Sequence, residues 1–324
     1  MVLARRWPDL RWLKIVKNKL RIFVSVSLFA WLAWRTDWDQ IRQAGANLRV
    51  EYWFAALALY LGVQMISGFR WQLLARPLGY ERPVWQFTRF YFIGMFFNLF
   101  LPTSVGGDVV RAWYLGDGSE ASAFLSVLVD RLSGFVVLLA LACIAVALCP
   151  IHLPGWIVMS VWCSAGTGMA GMVLAPVLLR RTTRFAKARR LAEQSLIYVD
   201  RPRLMIATTV LSLFIQAGNV LLVWLVAQAL RLPVPASYFW IMVPMVTLLT
   251  MLPISLNGMG VREGGTILFL TPLGVAHGPA LSLAILWFAV FTAASLVGGV
   301  LYLFHRYPKA EVVTDSELEQ RAAA

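Results

Sequence analysis

Apolar residues along this chain gather into long blocks, and the charged residues concentrate in the stretches between them. A helix needs about 20 apolar residues to cross a bilayer. Six blocks approach or exceed that length, at roughly 20–36, 52–69, 121–148, 156–179, 204–229 and 279–304. Two further segments, 84–116 and 237–270, are also largely apolar but are cut by Pro102 and Pro253. Proline lacks an N–H and biases the residue before it away from the helix. Each of these two segments therefore predicts a half-helix, a break and a second short helix.

The polar stretches orient the crossings, because Lys and Arg accumulate in cytoplasmic loops. Residues 1–19 carry Arg5, Arg6, Arg11, Lys14, Lys17 and Lys19 against Asp9 alone. The loop after the second span holds Arg70, Arg76, Arg82 and Arg89 against Glu81. The densest loop, 180–203, holds eight Lys and Arg, from Arg180 to Arg203, against Glu193 and Asp200. All three read as cytoplasmic. The fourth span then runs inward and the third outward, so 84–116 enters from the cytoplasm and returns to it. By the same logic 237–270 enters from outside. Both read as re-entrant hairpins, tolerated only where protein or a watery cavity covers the free backbone groups. The sixth span ends at His305, Arg306 and Lys309, which places both termini inside.

A motif joins the two broken segments. Leu101-Pro102-Thr103-Ser104-Val105-Gly106-Gly107-Asp108-Val109-Val110-Arg111 recurs 151 residues later as Leu252-Pro253-Ile254-Ser255-Leu256-Asn257-Gly258-Met259-Gly260-Val261-Arg262, identical at six of eleven positions. That offset lays span two on span five, the first hairpin on the second and span three on span six. Three spans is an odd number, so the halves point opposite ways. The fold class is therefore an all-α membrane protein: six transmembrane helices plus two re-entrant helical hairpins in an inverted repeat. The expected division is a basic cytoplasmic N-terminus (1–19), a first repeat (20–155), a second repeat (156–305) and a cytoplasmic tail (306–324).

Composition agrees. Hydrophobic residues make up 60% of 324 and charged residues 14%, against about 25% charged in soluble domains. The net charge of +13 sits mostly in loops beside spans, so it marks orientation and anionic headgroups, with no nucleic-acid partner. Cys143, Cys149 and Cys163 have no metal-type spacing and read as packing residues. No cofactor is expected.

The motif has its own chemistry. Ser104 and Ser255 are placed to cap the second half-helices, whose N-termini offer N–H groups and partial positive charge to an anion. Gly107 and Gly258 let a headgroup approach the backbone, with Asn257 beside them. Arg111 and Arg262 either pair with a phosphate in transit or satisfy Asp108 and Glu263. Asp108 and Arg111 are three apart and share a helix face. Arg111–Glu263 and Arg262–Asp108 pairs would tie the halves together. Asp130 and Arg131 lie inside span three and, being adjacent, need separate partners. Arg131 is a path residue or half of a helix–helix salt bridge. Asn98, Gln64, Gln216 and Asn219 are isolated polar residues suited to interhelical hydrogen bonds.

These residues resemble a known family. Phe96–Asp108 looks like the first signature of the lysylphosphatidylglycerol synthase transmembrane family, the flippase-like membrane proteins. Val129-Asp130-Arg131-Leu132 resembles its third-span segment, with Asp130 where Glu is commoner. Pro253–Gly264 resembles its second signature, with Asn257 where Gly is common. The resemblance implies movement of an anionic or modified lipid between leaflets of the bacterial cytoplasmic membrane. Phospholipid, aminoacyl-phosphatidylglycerol, hopanoid and polyprenyl-linked lipid are all substrates it leaves open. Members that make aminoacylated lipid carry a soluble transferase domain. A polar tail follows the sixth span here, so the expectation is translocation without synthesis, hence no enzyme. The expected partners are membrane lipids and lipid-biosynthesis enzymes. Two other readings stand beside it. One is a glycosyltransferase-like membrane enzyme using Asp37 and Asp39 of the first outer loop. The other is a non-transporting scaffold for lipid enzymes.

Overall fold

The computed structural model describes residues 48–100, 106–116, 120–181, 196–198, 200–252, 255 and 257–304. Every regular element among them is helical. The predicted first span, Ser104, Asp37, Asp39, most of the basic loop and the C-terminal tail lie outside the described residues.

Among the described residues nine α-helices follow in order: α1 (Val50–Ala75), α2 (Val84–Phe100), α3 (Gly106–Leu115), α4 (Glu120–Leu148), α5 (Gly155–Arg181), α6 (Pro202–Ala229), α7 (Ala236–Met251), α8 (Val261–Leu270) and α9 (His277–Leu303). Four stretches among the described residues are long and apolar enough to cross a membrane: Val50–Leu78, Ala121–Leu148, Pro202–Ala229 and His277–Leu303. They correspond to predicted spans two, three, five and six, and α5 occupies the fourth. The two proline-cut segments are helix pairs, α2–α3 and α7–α8. Each second member is 10 residues long, about 15 Å.

One boundary differs from the sequence reading. Span two was expected to end before Arg70, yet α1 continues through it to Ala75. It stops only where Arg76-Pro77-Leu78 tightens into a 3₁₀ turn and Gly79 turns left-handed at φ 92°. A charge ends a span only when it must reach water, and Arg70 finds its partners inside.

The packing of these helices repeats. α1 lies against α6. α2 packs on α9 and α7 on α4, so each broken pair leans on the long helix of the other half. α1 meets α2 as α6 meets α7, and α3 meets α4 as α8 meets α9. Exchanging α1 with α6, α2 with α7, α3 with α8 and α4 with α9 maps each of these pairs onto another.

Between apolar helices there is little hydrophobic force in lipid, and close approach of small residues takes its place. A Cβ on Gly298 of α9 would collide with the Phe92 backbone of α2, and one on Gly68 of α1 would sit 2.7 Å from the Thr88 Cα. In the run Gly166-x-Gly168-x-x-Gly171 of α5, only one glycine serves close packing. Gly168 abuts Leu139 and Phe135, whereas Gly166 and Gly171 face open space. The polarity of the molecule is inverted relative to a soluble domain. Phe54, Met65, Ile144, Met159, Ile206 and Phe214 are exposed, while Arg70, Asp108, Arg111, Asp130, Arg262 and Glu263 are buried. A lipid exterior gives that distribution its solvent.

Candidate functional site

Two polar stripes face each other across the α1–α6 contact. Tyr60, Gln64, Ser67 and Arg70 recur at helical spacing on α1, and Ser212, Gln216 and Asn219 do so on α6. Between them and the α2–α3 pair lies a cavity of about 310 Å³. Gly107, Asp108 and Arg111 of α3 line it, as do Asp130, Arg131 and Gly134 of α4.

Five charged side chains form one network on its wall. Arg70 donates from Nε to Asp130 Oδ1 at 2.9 Å, from Nη1 to Ser212 Oγ at 2.7 Å and from Nη2 to the Asp130 carbonyl at 3.1 Å. Arg111 donates from Nη1 to Asp130 Oδ2 at 3.2 Å, and its Nε lies 3.1 Å from Asp108 Oδ1. Arg131 pairs through Nε with Asp108 Oδ2. The two contacts to Asp108 are charge pairs whose N–H vectors miss the line of a hydrogen bond. Arg70, Asp108, Arg111 and Asp130 side chains are all nearly sealed, whereas that of Arg131 is 35% exposed. The guanidinium of Arg111 is also flanked by rings, Trp71 at 5.1 Å and Tyr91 at 4.9 Å. Such a buried cluster owes its stability to complete pairing, since removing one member strands another in low dielectric.

Local sequence sets the geometry. Gly94 of α2 and Gly107 of α3 touch through their backbones, so that a Cβ on Gly94 would sit 2.8 Å from the Gly107 carbonyl oxygen. Asn98 Oδ1 accepts the Gly107 N–H at 2.8 Å and satisfies one of the free donors of the α3 N-terminus. This close hairpin turns Asp108 and Arg111, one helical turn apart, toward α4. On α4 the adjacent Asp130 and Arg131 diverge as predicted: Asp130 reaches α1 and α3, and Arg131 reaches Asp108.

The second motif is built differently. Asn257, Gly258 and Gly260 adopt positive φ of 48°, 74° and 81°, so the chain turns for four residues before α8 begins. Ser255 was expected to cap α8. Instead Gly260 occupies the N-cap and Glu263 Oε2 accepts its N–H at 2.6 Å, because the left-handed turn delays the helix past the reach of Ser255. Ser255 is buried, and its hydroxyl has no hydrogen-bond partner among the described residues. Arg262 lies in an aromatic cage, 4.7 Å from the Phe288 ring and 5.9 Å from Trp287, and donates from Nη2 to the Asn257 carbonyl at 3.3 Å. Its Nη1 is buried and has no hydrogen-bond partner among the described residues. The expected Arg111–Glu263 and Arg262–Asp108 pairs are not formed. Asp108 is engaged by Arg111 and Arg131 within its own half, and Glu263 is turned back onto its helix N-terminus.

The cavity thus unites Gly107, Asp108, Arg111 and Arg131. Ser255, Asn257, Gly258, Arg262 and Glu263 lie outside its lining. The second half contributes Gln216, Asn219, Thr247 and Phe291 instead. Of the isolated polar residues, Gln216 donates to the Gly134 carbonyl of α4 at 3.0 Å and Asn98 bridges α2 to α3, the interhelical roles expected of them. Asn219 donates to Gln216 at 3.4 Å within α6, and Gln64 faces the cavity. Sequence reasoning passed over Arg70 and Ser212 and gave Asp130 no site role. The Gln64-Ser67-Arg70 stripe was the available signal for the first.

A multi-pass helical membrane protein whose buried charges converge on a cavity beside a broken helix pair is the class these features define. The chain belongs to the family described as "Lysylphosphatidylglycerol synthase TM region", whose model matches residues 19–299. It is also similar to the "UPF0104 membrane protein MJ1595" of Methanocaldococcus jannaschii, with 28% identity over 123 residues. That match covers 37% of this chain and 37% of the relative.

Proposed function

We propose that this protein is a lipid translocase. An anionic or modified headgroup crosses beside the buried arginine cluster while its acyl chains stay in the bilayer. The observation that carries this reading is the cavity itself: three arginines and two aspartates around about 310 Å³, inside helices whose outer surfaces are apolar. Ionisable residues at membrane depth are costly and tend to mark a transport path. The paired packing of α1–α4 with α6–α9 supports an inverted repeat of two hairpins entering from opposite faces, and hence alternating access by rocking of one half against the other. In this reading both termini are cytoplasmic and the membrane is the bacterial inner membrane. The partners are membrane lipids and the enzymes that supply them, and no covalent chemistry is performed.

Reconstitution tests it. Purified protein in vesicles carrying a fluorescent anionic lipid should expose the inner-leaflet label to an external quencher faster than protein-free vesicles do, and Arg111→Gln should slow that exposure at least about tenfold. Wild-type traces that match empty vesicles for several anionic lipids would remove the reading. The enzyme and scaffold alternatives would then be separated by Asp37→Ala with Asp39→Ala and by neutralising the basic loop.

A further inference from the structure

We infer that the cavity selects a singly charged phosphate joined to an uncharged, hydroxyl-bearing group, and disfavours headgroups that carry an ammonium. The inference rests on the translocase reading and narrows its substrate. Every carboxylate oxygen on the wall stands against a guanidinium, the Asp130 oxygens in hydrogen bonds and the Asp108 oxygens in charge contacts. Asp130 gives Oδ1 to Arg70 and Oδ2 to Arg111, and Asp108 gives Oδ1 to Arg111 and Oδ2 to Arg131. Among the described residues the lining holds no other carboxylate, so an incoming amine meets acidic oxygens only where an arginine already stands. Three guanidiniums against two carboxylates leave the five-residue cluster at +1. A monoanionic headgroup brings the sum to zero. A zwitterion leaves it at +1, and an aminoacylated headgroup bearing two amines raises it to +2. Uncompensated charge at low dielectric is expensive, so these sums rank the ligands.

The rest of the wall points the same way. A tyrosine face can hold an ammonium; of the two tyrosines in the lining, Tyr91 already carries the Arg111 guanidinium at 4.9 Å and Tyr60 packs against the Phe291 ring at 6.2 Å. Gln64, Gln216 and Asn219 line the remaining space. Amides both donate and accept, which suits hydroxyls. Glycerol phosphate and sugar phosphate headgroups share this chemistry.

The test is binding, read separately from transport. Full-length protein in detergent is titrated with phosphatidylglycerol, a phosphatidyl-sugar lipid, phosphatidylethanolamine, lysylphosphatidylglycerol and inorganic phosphate, following the ligand-induced rise in Tm. Either hydroxylated anionic lipid should bind at least about tenfold more tightly than phosphatidylethanolamine, with lysylphosphatidylglycerol weakest. The stronger of the two anionic lipids identifies the source. In Arg131→Gln, whose site is half-open and whose cluster sums to zero, an anionic lipid brings the sum to −1 and a zwitterion leaves it at zero, so the preference for anionic lipid over phosphatidylethanolamine should be lost or reversed. An unchanged preference there, equal or tighter binding of either amine-bearing lipid, or equal protection by inorganic phosphate overturns the inference. Selective binding without flipping in vesicles would retain this inference and remove the translocase reading. Flipping without selectivity would do the reverse.

Discussion

Arg111 and Arg262 occupy the same position of a repeated motif and live in different surroundings. Arg111 stands between two aspartates with aromatic rings on its flanks. Arg262 has rings and a backbone carbonyl but no carboxylate within ion-pair distance among the described residues. The difference comes from what the partner helices carry. α4 supplies Asp130 to the first hairpin, while α9 supplies Trp287 and Phe288 to the second. The two copies of the motif share a backbone device, a broken helix with glycines at the break. They do not share the electrostatics, which neighbouring helices rewrite. The cavity accordingly draws its charges from the first half and its neutral polar groups from both.

That contrast can be broken at its centre. Asp130→Ala leaves Arg70 and Arg111 buried without their shared carboxylate, and we expect a loss of about 3–5 kcal/mol, read as a collapse of the unfolding transition in detergent. A near-normal midpoint would mean water reaches the cluster freely. The two arginines should then separate under one substitution. Arg111→Met takes one of two arginine partners from each of two buried aspartates, whereas Arg262→Met takes a partner from no carboxylate and removes an Nη1 that has no hydrogen-bond partner among the described residues. Their unfolding free energies should differ by at least about 2 kcal/mol, with the Arg262 variant within about 1 kcal/mol of wild type. Equal losses would show that the second site also depends on a charge partner.

Smaller perturbations test the backbone device. Gly107→Ala must push α3 off α2, because the added carbon meets the Gly94 carbonyl and Asn98. It should cost about 1–3 kcal/mol and slow lipid flipping. Gly264→Ala on α8, with open space around it, should stay within about 0.5 kcal/mol. Between these two, a loss of about 1 kcal/mol is expected of Asn98→Leu, which uncaps Gly107 while keeping the side chain's branching, and thermal midpoints are sensitive enough to detect it.

Much of the helical layout was legible because lipid imposes a simple rule on composition. Long apolar runs gave the crossings, and Pro102 and Pro253 marked the broken pairs. The site was legible only in part. Arg70 sits at the apparent end of a hydrophobic run, where a charge normally means a loop. Only its burial against Asp130, sixty residues away, reveals it as interior. The cap was misjudged at Ser255 because positive φ at Asn257, Gly258 and Gly260 is a conformational choice that the local letters permit without requiring. The cross-half ion pairs failed because the motif names charged residues but not which of several opposite charges lies nearest.

The reciprocal leaning of α2 on α9 and α7 on α4 bears on how the protein is made. Helices leave the ribosome in order, so α2 enters the bilayer long before the helix that completes its packing exists. Its Phe92 backbone, shaped for the missing side chain of Gly298, stays uncovered until the last long helix arrives. Chains truncated before His277 should therefore be cleared by membrane proteases, and supplying the second half as a separate polypeptide should rescue the first from degradation.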